Sequence, residues 1–324
     1  MNILVVGGAG YIGSHMVNLL LAAGHAVTVL DNLGNGHRAA VPAGLLIEGD
    51  LADRALLREL LARGFDGVMH FASYIEVGES VADPGKYYRN NLANTLNLLD
   101  AMAAAGGGRL IFSSTAALYG DPVAVPISED HPCRPINPYG RSKWMVEQML
   151  ADYEKAHGIC SICLRYFNAA GAIADGSLGE RHEPESHLIP LVLRAATGRR
   201  SHVDIYGDDY DTPDGTCIRD YVHVTDLCAA HLLALNRLAA GGGSAVFNLG
   251  NGQGFSVREV IAAAERVTGR AIPVRIAPRR PGDSARLVAD ASRAVNTLGW
   301  RPLRADLDTI IADAWRWEQR LAGC

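Results

Sequence analysis

The chain of 324 residues has no long hydrophobic run, no basic tract and no disulfide-like cysteine spacing. Its opening, MNILVVGG, meets glycines far before the roughly 20 apolar residues of a membrane span, so no secretory leader, anchor or membrane partner is expected. Lysine and arginine total 30 against 35 acidic residues, for a formal net charge of -5. With no basic stripe, this argues against a nucleic-acid partner, while a few local arginines can still serve an anionic ligand. Six cysteines are scattered, which suits a reducing compartment and predicts a cytoplasmic location. Cys160 and Cys163 have CxxC spacing, but ICSICLRYF reads as a buried strand, where positions three apart face opposite sides. They are read as core. Aromatic residues make up 6%, and Trp144, Trp300, Trp315 and Trp317 lack the spacing of a stacking platform. No internal repeat or low-complexity segment is present.

What is there alternates. NILVVG reads as a buried strand and YIGSHMVNLLLAAG as a helix, followed by AVTVLD as a second strand. A short strand at GLLIEGD, a helix over 52–62, a strand in FDGVMHFAS, a long helix over 83–105 and the strand RLIFSST continue the series. Short apolar strands separated by helices predict an α/β fold with a Rossmann-type, doubly wound parallel sheet. After Gly171 the glycine-rich, polar GAIADGSLGERHEPESHL reads as an active-site loop or lid. SAVFNLG reads as a strand returning to the first sheet. The expected organisation is a cofactor domain over 1–170 with returning segments near 215–250. A smaller mixed α/β substrate lobe over 171–324 is interleaved with it.

GGAGYIG places Gly7, Gly10 and Gly13 after a strand and at the start of a helix. Such glycines permit a tight turn, backbone approach to a pyrophosphate, and close packing of helix on sheet. The helix N-terminus offers free N–H groups to the phosphates. The second strand ends in Asp31, whose carboxylate suits ribose hydroxyls and repels a 2'-phosphate, favouring NAD over NADP, although Arg38 lies nearby. Asp50, at the end of the third strand, suits the adenine edge or a solvated loop equally.

Two further stretches carry the chemistry. Tyr139 and Lys143 are four apart on a helix and share a face. A free phenol has a pKa near ~10, and neighbouring positive charge favours tyrosinate, a usable base. Ser113, Ser114 and Thr115 leave a preceding strand, and one of these hydroxyls is expected to hold a substrate oxygen against Tyr139.

With GGAGYIGSH, FSST, YxxxK, LRYFNAAGA, HLIP, IRDY and PRRPGD in this order, the chain resembles the extended short-chain dehydrogenase/reductase family, and within it the UDP-glucose 4-epimerases. The matches span nearly its whole length. The resemblance implies NAD, a UDP-hexose substrate, and oxidation at C4 to a transient 4-keto sugar that is reduced from its opposite face. By matching position, Tyr139 resembles the base, Lys143 its tuning partner at the nicotinamide ribose, and Thr115 the hydroxyl at O4. The implied cofactor set is Gly7, Gly10, Tyr11, Ile12, Gly13, Asp31, Asn32, Asn35, Asp50, Leu51, Phe71, Ala72, Asn90, Ser113 and Tyr166, with Tyr139 and Lys143. The implied substrate set is Thr115, Tyr139, Asn168, His187, Leu188, Arg219, Arg280, Asp283 and Leu287. A homodimer through the helices starting near Asp83 and Pro138 is also implied.

Two positions depart from the family pattern. Ile75 stands where some relatives carry a lysine near the cofactor phosphates, and the adjacent Glu76 reads as loop surface. Leu287 occupies the position facing the sugar's C2 substituent, where its intermediate bulk leaves N-acetylated UDP-hexoses as an alternative substrate. A pentose nucleotide such as UDP-xylose is a further one. A dehydratase is disfavoured because Ala116 and Ala117 follow Thr115, where an Asp-Glu pair would be needed. RHEPESHL gathers His182, Glu183, Glu185 and His187, but it lacks HExxH spacing and an obvious third ligand, so no metal is expected. His70 reads as a packed residue behind the site.

Overall fold

The apolar run after Met1 extends as β1 (Asn2–Val6), buried from Ile3 onward. The glycine turn then hands the chain to α1 (Tyr11–Ala22). The structure, a computed structural model, describes residues 1–280 and 283–323. The pattern continues with β2 (Ala26–Asp31), β3 (Leu46–Glu48), α2 (Arg54–Leu61) and β4 (Gly67–His70). Next come α3 (Val77–Ala82), α4 (Pro84–Tyr87), a π-helical stretch over Tyr88–Ala93, and α5 (Asn94–Ala104). The single long helix expected over 83–105 is thus wound more widely at its centre, which offsets Asn90 and Asn91 from regular α spacing. Then follow β5 (Gly108–Thr115), α6 (Pro138–His157) and β6 (Ile159–Tyr166).

Beyond β6 lie β7 (Asn168–Ala170), α7 (Leu188–Ala196), β8 (Val203–Tyr206), β9 (Ile218–His223), α8 (Val224–Ala239) and β10 (Ala245–Leu249). The chain ends with β11 (Gly254–Ser256), α9 (Val257–Thr268), β12 (Val274–Ala277), β13 (Arg286–Leu287), α10 (Ser292–Leu298) and α11 (Leu307–Ala322).

Seven strands form one sheet in the order β10-β6-β5-β4-β1-β2-β3, parallel at every pairing. β10 returns beside β6, as SAVFNLG suggested. The sheet is covered on both faces. Side chains of α1 and α8 with Trp300 fill one layer, and α2, α5 and α6 fill the other. Strand order reverses at β1, between β2 and β4, which opens a crevice above the strand ends, the usual ligand position in such sheets. The second lobe packs α7, α9 and α11 around β8 and β9. There β7, β9, β11 and β13 form a small mixed sheet and β8 pairs with β12. Among the described residues, no helix is long and apolar enough to cross a membrane.

Candidate active site

The crevice begins at the glycine turn. Gly7 takes a left-handed φ of +80°, and a Cβ there would meet the Ala72 backbone nitrogen at 2.5 Å. A Cβ on Gly13 would stand 2.1 Å from the Gly7 carbonyl. The backbones of β1, α1 and the end of β4 therefore converge more closely than side chains would permit, leaving the N-terminus of α1 facing the crevice. Ile12 follows in the first turn of α1, and Tyr11 donates its phenol to the Gly171 carbonyl at 2.6 Å, closing the turn against the segment after β7.

Asp31 ends β2 with its carboxylate oxygens accepting from Ala9 N and Leu33 N, each at 2.8 Å. These bonds fix its direction, and each oxygen retains lone-pair capacity for a ribose hydroxyl. Arg38, the one residue that favoured a 2'-phosphate, is ion-paired with Glu48. Asn32 donates to Asp50 at 2.6 Å, and Asp50 also accepts from Ala52 N and Asn94. The structure thus ties Asp50 to the rim of the β2 turn. Asn35 is exposed on that rim and Leu51 is buried beneath it. Phe71, just past β4, packs tilted on His231 of α8 with ring centroids 4.9 Å apart.

The reacting groups sit where β5 ends. Asn137 accepts from Gly140 N at 2.8 Å and Pro138 occupies the first turn, so α6 starts at a fixed angle and turns Tyr139 inward. Burial pushes the Tyr139 phenol up to about 12, Glu76 adds to the rise, and a side-chain hydrogen bond with Thr115 pulls it the other way. Glu76, read from sequence as loop surface, stands half-buried just before α3. Thr115 is paired in register with Tyr166, whose phenol is raised by burial and by Tyr139, with Ser113 pulling it the other way.

The three strand-end hydroxyls separate by role. Thr115 faces Tyr139, Ser113 contacts His231 Nε2 at 3.2 Å, and Ser114 turns away to Glu147. Lys143, one turn below Tyr139, donates to Ser73 Oγ and the Ser113 carbonyl, both at 2.7 Å. Burial lowers its ammonium to about 7, partly offset by Glu147. Ser73 was not singled out from sequence, although it directly follows Ala72 in FDGVMHFAS. Asn91 was also missed: its amide joins Tyr74 to Ser142 of α6. Its neighbour Asn90 donates to it at 3.0 Å.

Apart from Thr115 and Tyr139, the expected substrate residues lie on the second lobe and the segment leading to it. Asn168 begins β7 two residues after Tyr166, paired with Tyr221. Arg219 of β9 donates to the Ser284 carbonyl and to Asp283, bringing two members of the set together. Arg280 lies over the Tyr206 ring, 3.7 Å from its centroid. Pro281 and Gly282, which follow Arg280 in sequence, lie outside the described residues. Leu287 pairs with Arg219 across β13 and β9 and packs against the buried cluster of Ala116, Leu118 and Tyr119, directly beyond Thr115. Leu188 starts α7. His187, just before it, is directed instead toward Glu180, with Nδ1 2.6 Å from Oε1.

The close glycine cradle, the oriented Asp31 carboxylate and the buried lysine at a tyrosine suit a dinucleotide. Residues 3–250 match the NAD dependent epimerase/dehydratase family. The chain is 54% identical to a UDP-glucose 4-epimerase of Streptomyces lividans over 97% of this chain and 95% of that one. The structure superposes with a TM-score of 0.95 on UDP-glucose 4-epimerase from Brucella ovis in complex with NAD, 52% identical and covering 97% of each chain. It superposes at 0.93 on the enzyme from Bifidobacterium longum in complex with NAD+ and UDP, 41% identical over 99% of this chain and 98% of that one. A glycine cradle for NAD facing a Thr115–Tyr139–Lys143 site, together with identities above one half along nearly the whole length, places this chain among the UDP-glucose 4-epimerases of the NAD dependent epimerase/dehydratase family.

Proposed function

We propose that the chain interconverts UDP-galactose and UDP-glucose through a transient 4-keto sugar, with Tyr139 exchanging the O4 proton. The observation that carries this reading is the buried Tyr139 phenol turned toward the Thr115 hydroxyl at the end of β5, one helical turn from the buried Lys143. The glycine turn, Asp31 and Lys143 would hold NAD, which would supply a reversible hydride acceptor and a positive charge to the site. Without such a charge, burial holds Tyr139 protonated. Thr115 accepts or donates at O4 as the phenol gives or takes its proton. Lys143, anchored by Ser73 and Ser113, leaves an ammonium N–H for a ribose hydroxyl.

Inversion requires the keto ring to present its other face while the nucleotide stays fixed. Arg219 and Arg280 suit the diphosphate through charge-assisted bonds, and Asn168 adds a neutral donor. The N-terminus of α7 at Leu188 offers backbone N–H groups to the same anion. Asp283, held by Arg219, suits the uridine ribose hydroxyls. Leu287 closes the sugar side next to Leu118. Purified protein incubated with UDP-galactose is expected to yield UDP-glucose by chromatography, and failure to convert it with NAD supplied would sink this reading. UDP-N-acetylgalactosamine in a parallel reaction reads whether Leu287 admits the larger C2 group.

Pairing of two copies through α5 and α6 is part of the same proposal. Leu96 and Met145 leave apolar side chains 40% and 37% exposed on these helices. Light scattering on the holoenzyme should give twice the chain mass, and a monomer's mass contradicts the pairing.

A further inference from the structure

The segment between β7 and α7 gathers four potential metal ligands that the proposed reaction does not use. Glu180, His182, Glu185 and His187 each place one donor atom within 4.8 Å of the others. Sequence spacing had drawn attention to Glu183, but that carboxylate turns outward to Arg194 at 3.1 Å. Glu180, two residues before the first histidine, takes its place. Glu180 and Glu185 are almost wholly withdrawn from solvent, with side chains 6% and 1% exposed.

The distances within the group are those of ligands around a shared centre as well as of ion pairs. Glu180 Oε1 lies 3.3 Å from His182 Nδ1 and 2.6 Å from His187 Nδ1, and Glu185 Oε1 lies 3.8 and 3.5 Å from the same two nitrogens. A tetrahedral zinc with ligand bonds of about 2.0–2.1 Å sets its ligand atoms about 3.3 Å apart. Both Nδ1 atoms are buried, yet neither forms an aligned hydrogen bond, and Glu185 Oε2 is also buried without one. Such atoms are costly to leave unmatched. A dication at the centre satisfies both nitrogens and neutralises both carboxylates.

The surroundings hold the ligands in place. Ser186 N and His187 N donate to Glu185 Oε1 at 2.9 and 3.0 Å. Trp317 of α11 donates to the Glu180 carbonyl at 2.7 Å, and Arg194 of α7 to the His182 carbonyl at 3.1 Å. His37, on the cofactor side, contacts the Arg181 carbonyl at 3.2 Å. The segment therefore touches the β2 turn and two helices of the second lobe, α7 and α11.

We propose that Glu180, His182, Glu185 and His187 form a closed, structural site for a divalent cation with zinc-like preferences, fastening the 171–187 segment between the two lobes. Two imidazoles and two carboxylates suit zinc by donor type, and four protein ligands leave no open position for chemistry. Elemental analysis of the holoenzyme, stripped with chelator and then dialysed against zinc chloride, is expected to find about one zinc per chain. The double variant His182→Gln with Glu185→Gln should lose it, while Glu183→Gln keeps it. Cobalt loading of the wild-type protein should give the intense visible absorption of a tetrahedral site. Chelator should lower the melting temperature of the wild type and not that of the double variant. Wild-type protein that takes up no zinc or cobalt overturns the proposal and leaves two glutamate–histidine ion pairs instead. Equal uptake by the double variant overturns it too, by placing the metal elsewhere. Because the readouts are metal content and stability, they stand apart from the epimerase reading.

Discussion

Tyr139 is a buried phenol that faces a hydroxyl. Thr115 favours its anion, while burial and Glu76 oppose it. Tyr139→Phe removes the proton acceptor but neither the packing nor the helix cap. It should lower kcat by roughly 10²–10⁴-fold with unchanged thermal unfolding, as steady-state conversion of UDP-galactose and a melting curve will read. Thr115→Val should lower kcat by about 10²-fold, whereas Thr115→Ser retains most activity because the hydroxyl survives. Loss of similar size in Thr115→Ser would show that the threonine methyl, rather than its oxygen, matters. The residue types and their order were legible in the sequence. The residue pattern alone left open which strand-end hydroxyl faces the tyrosine, and only the family resemblance pointed to Thr115, since alternation along β5 has to be combined with the positions of His231 and Glu147.

At the scale of elements, α6 is the part that aims the chemistry. Tyr139, Lys143 and Glu147 follow one another at intervals of four on its inner face, and Glu147 is bound to Arg165 of β6 at 2.6 Å with both side chains only 5% exposed. Tyr119 and Ser114 join the same network. Removing one member leaves an uncompensated buried charge. Glu147→Ala should therefore destabilise the protein by roughly 3–5 kcal/mol, and pairing Glu147→Leu with Arg165→Met should recover most of it. Urea unfolding of the two proteins checks this, and an equal loss in both would contradict it. The helix was legible from Asn137, Pro138 and its spacing. Its buried pair was not, because the partner sits on the neighbouring strand. The π-helical stretch over Tyr88–Ala93 was likewise hidden, since its register is set by Asn91 reaching Tyr74 and Ser142.

Across the whole molecule, the two layers on the main sheet enclose histidines that stay uncharged. Burial lowers His70 to about 3, with Lys143 adding to the effect, and lowers His15 and His231 to about 4. The unfolded chain would protonate these groups near ~6.5, so it binds more protons than the fold in the window below. Their contribution to stability is therefore present above pH ~6.5 and lost as pH falls toward 4 and then 3. Melting temperature should decline steeply between pH 6.5 and 4, and His231→Gln should flatten the decline. A profile without slope there would contradict the assignment of these three as buried neutral groups. The alternating sheet, its doubly wound order and the returning β10 were readable from apolar runs and glycine turns. The meeting of Glu180 with His182, Glu185 and His187 was not, because an irregular segment has no period from which to read which side chains converge.

The central claim, that C4 is oxidised and reduced within one site, is tested most directly with UDP-galactose carrying deuterium at C4. In ordinary water the account predicts UDP-glucose that retains the deuterium at C4, because the hydrogen removed from that carbon is held and returned. Conversion with the label lost to solvent, or no conversion with NAD supplied, would contradict it.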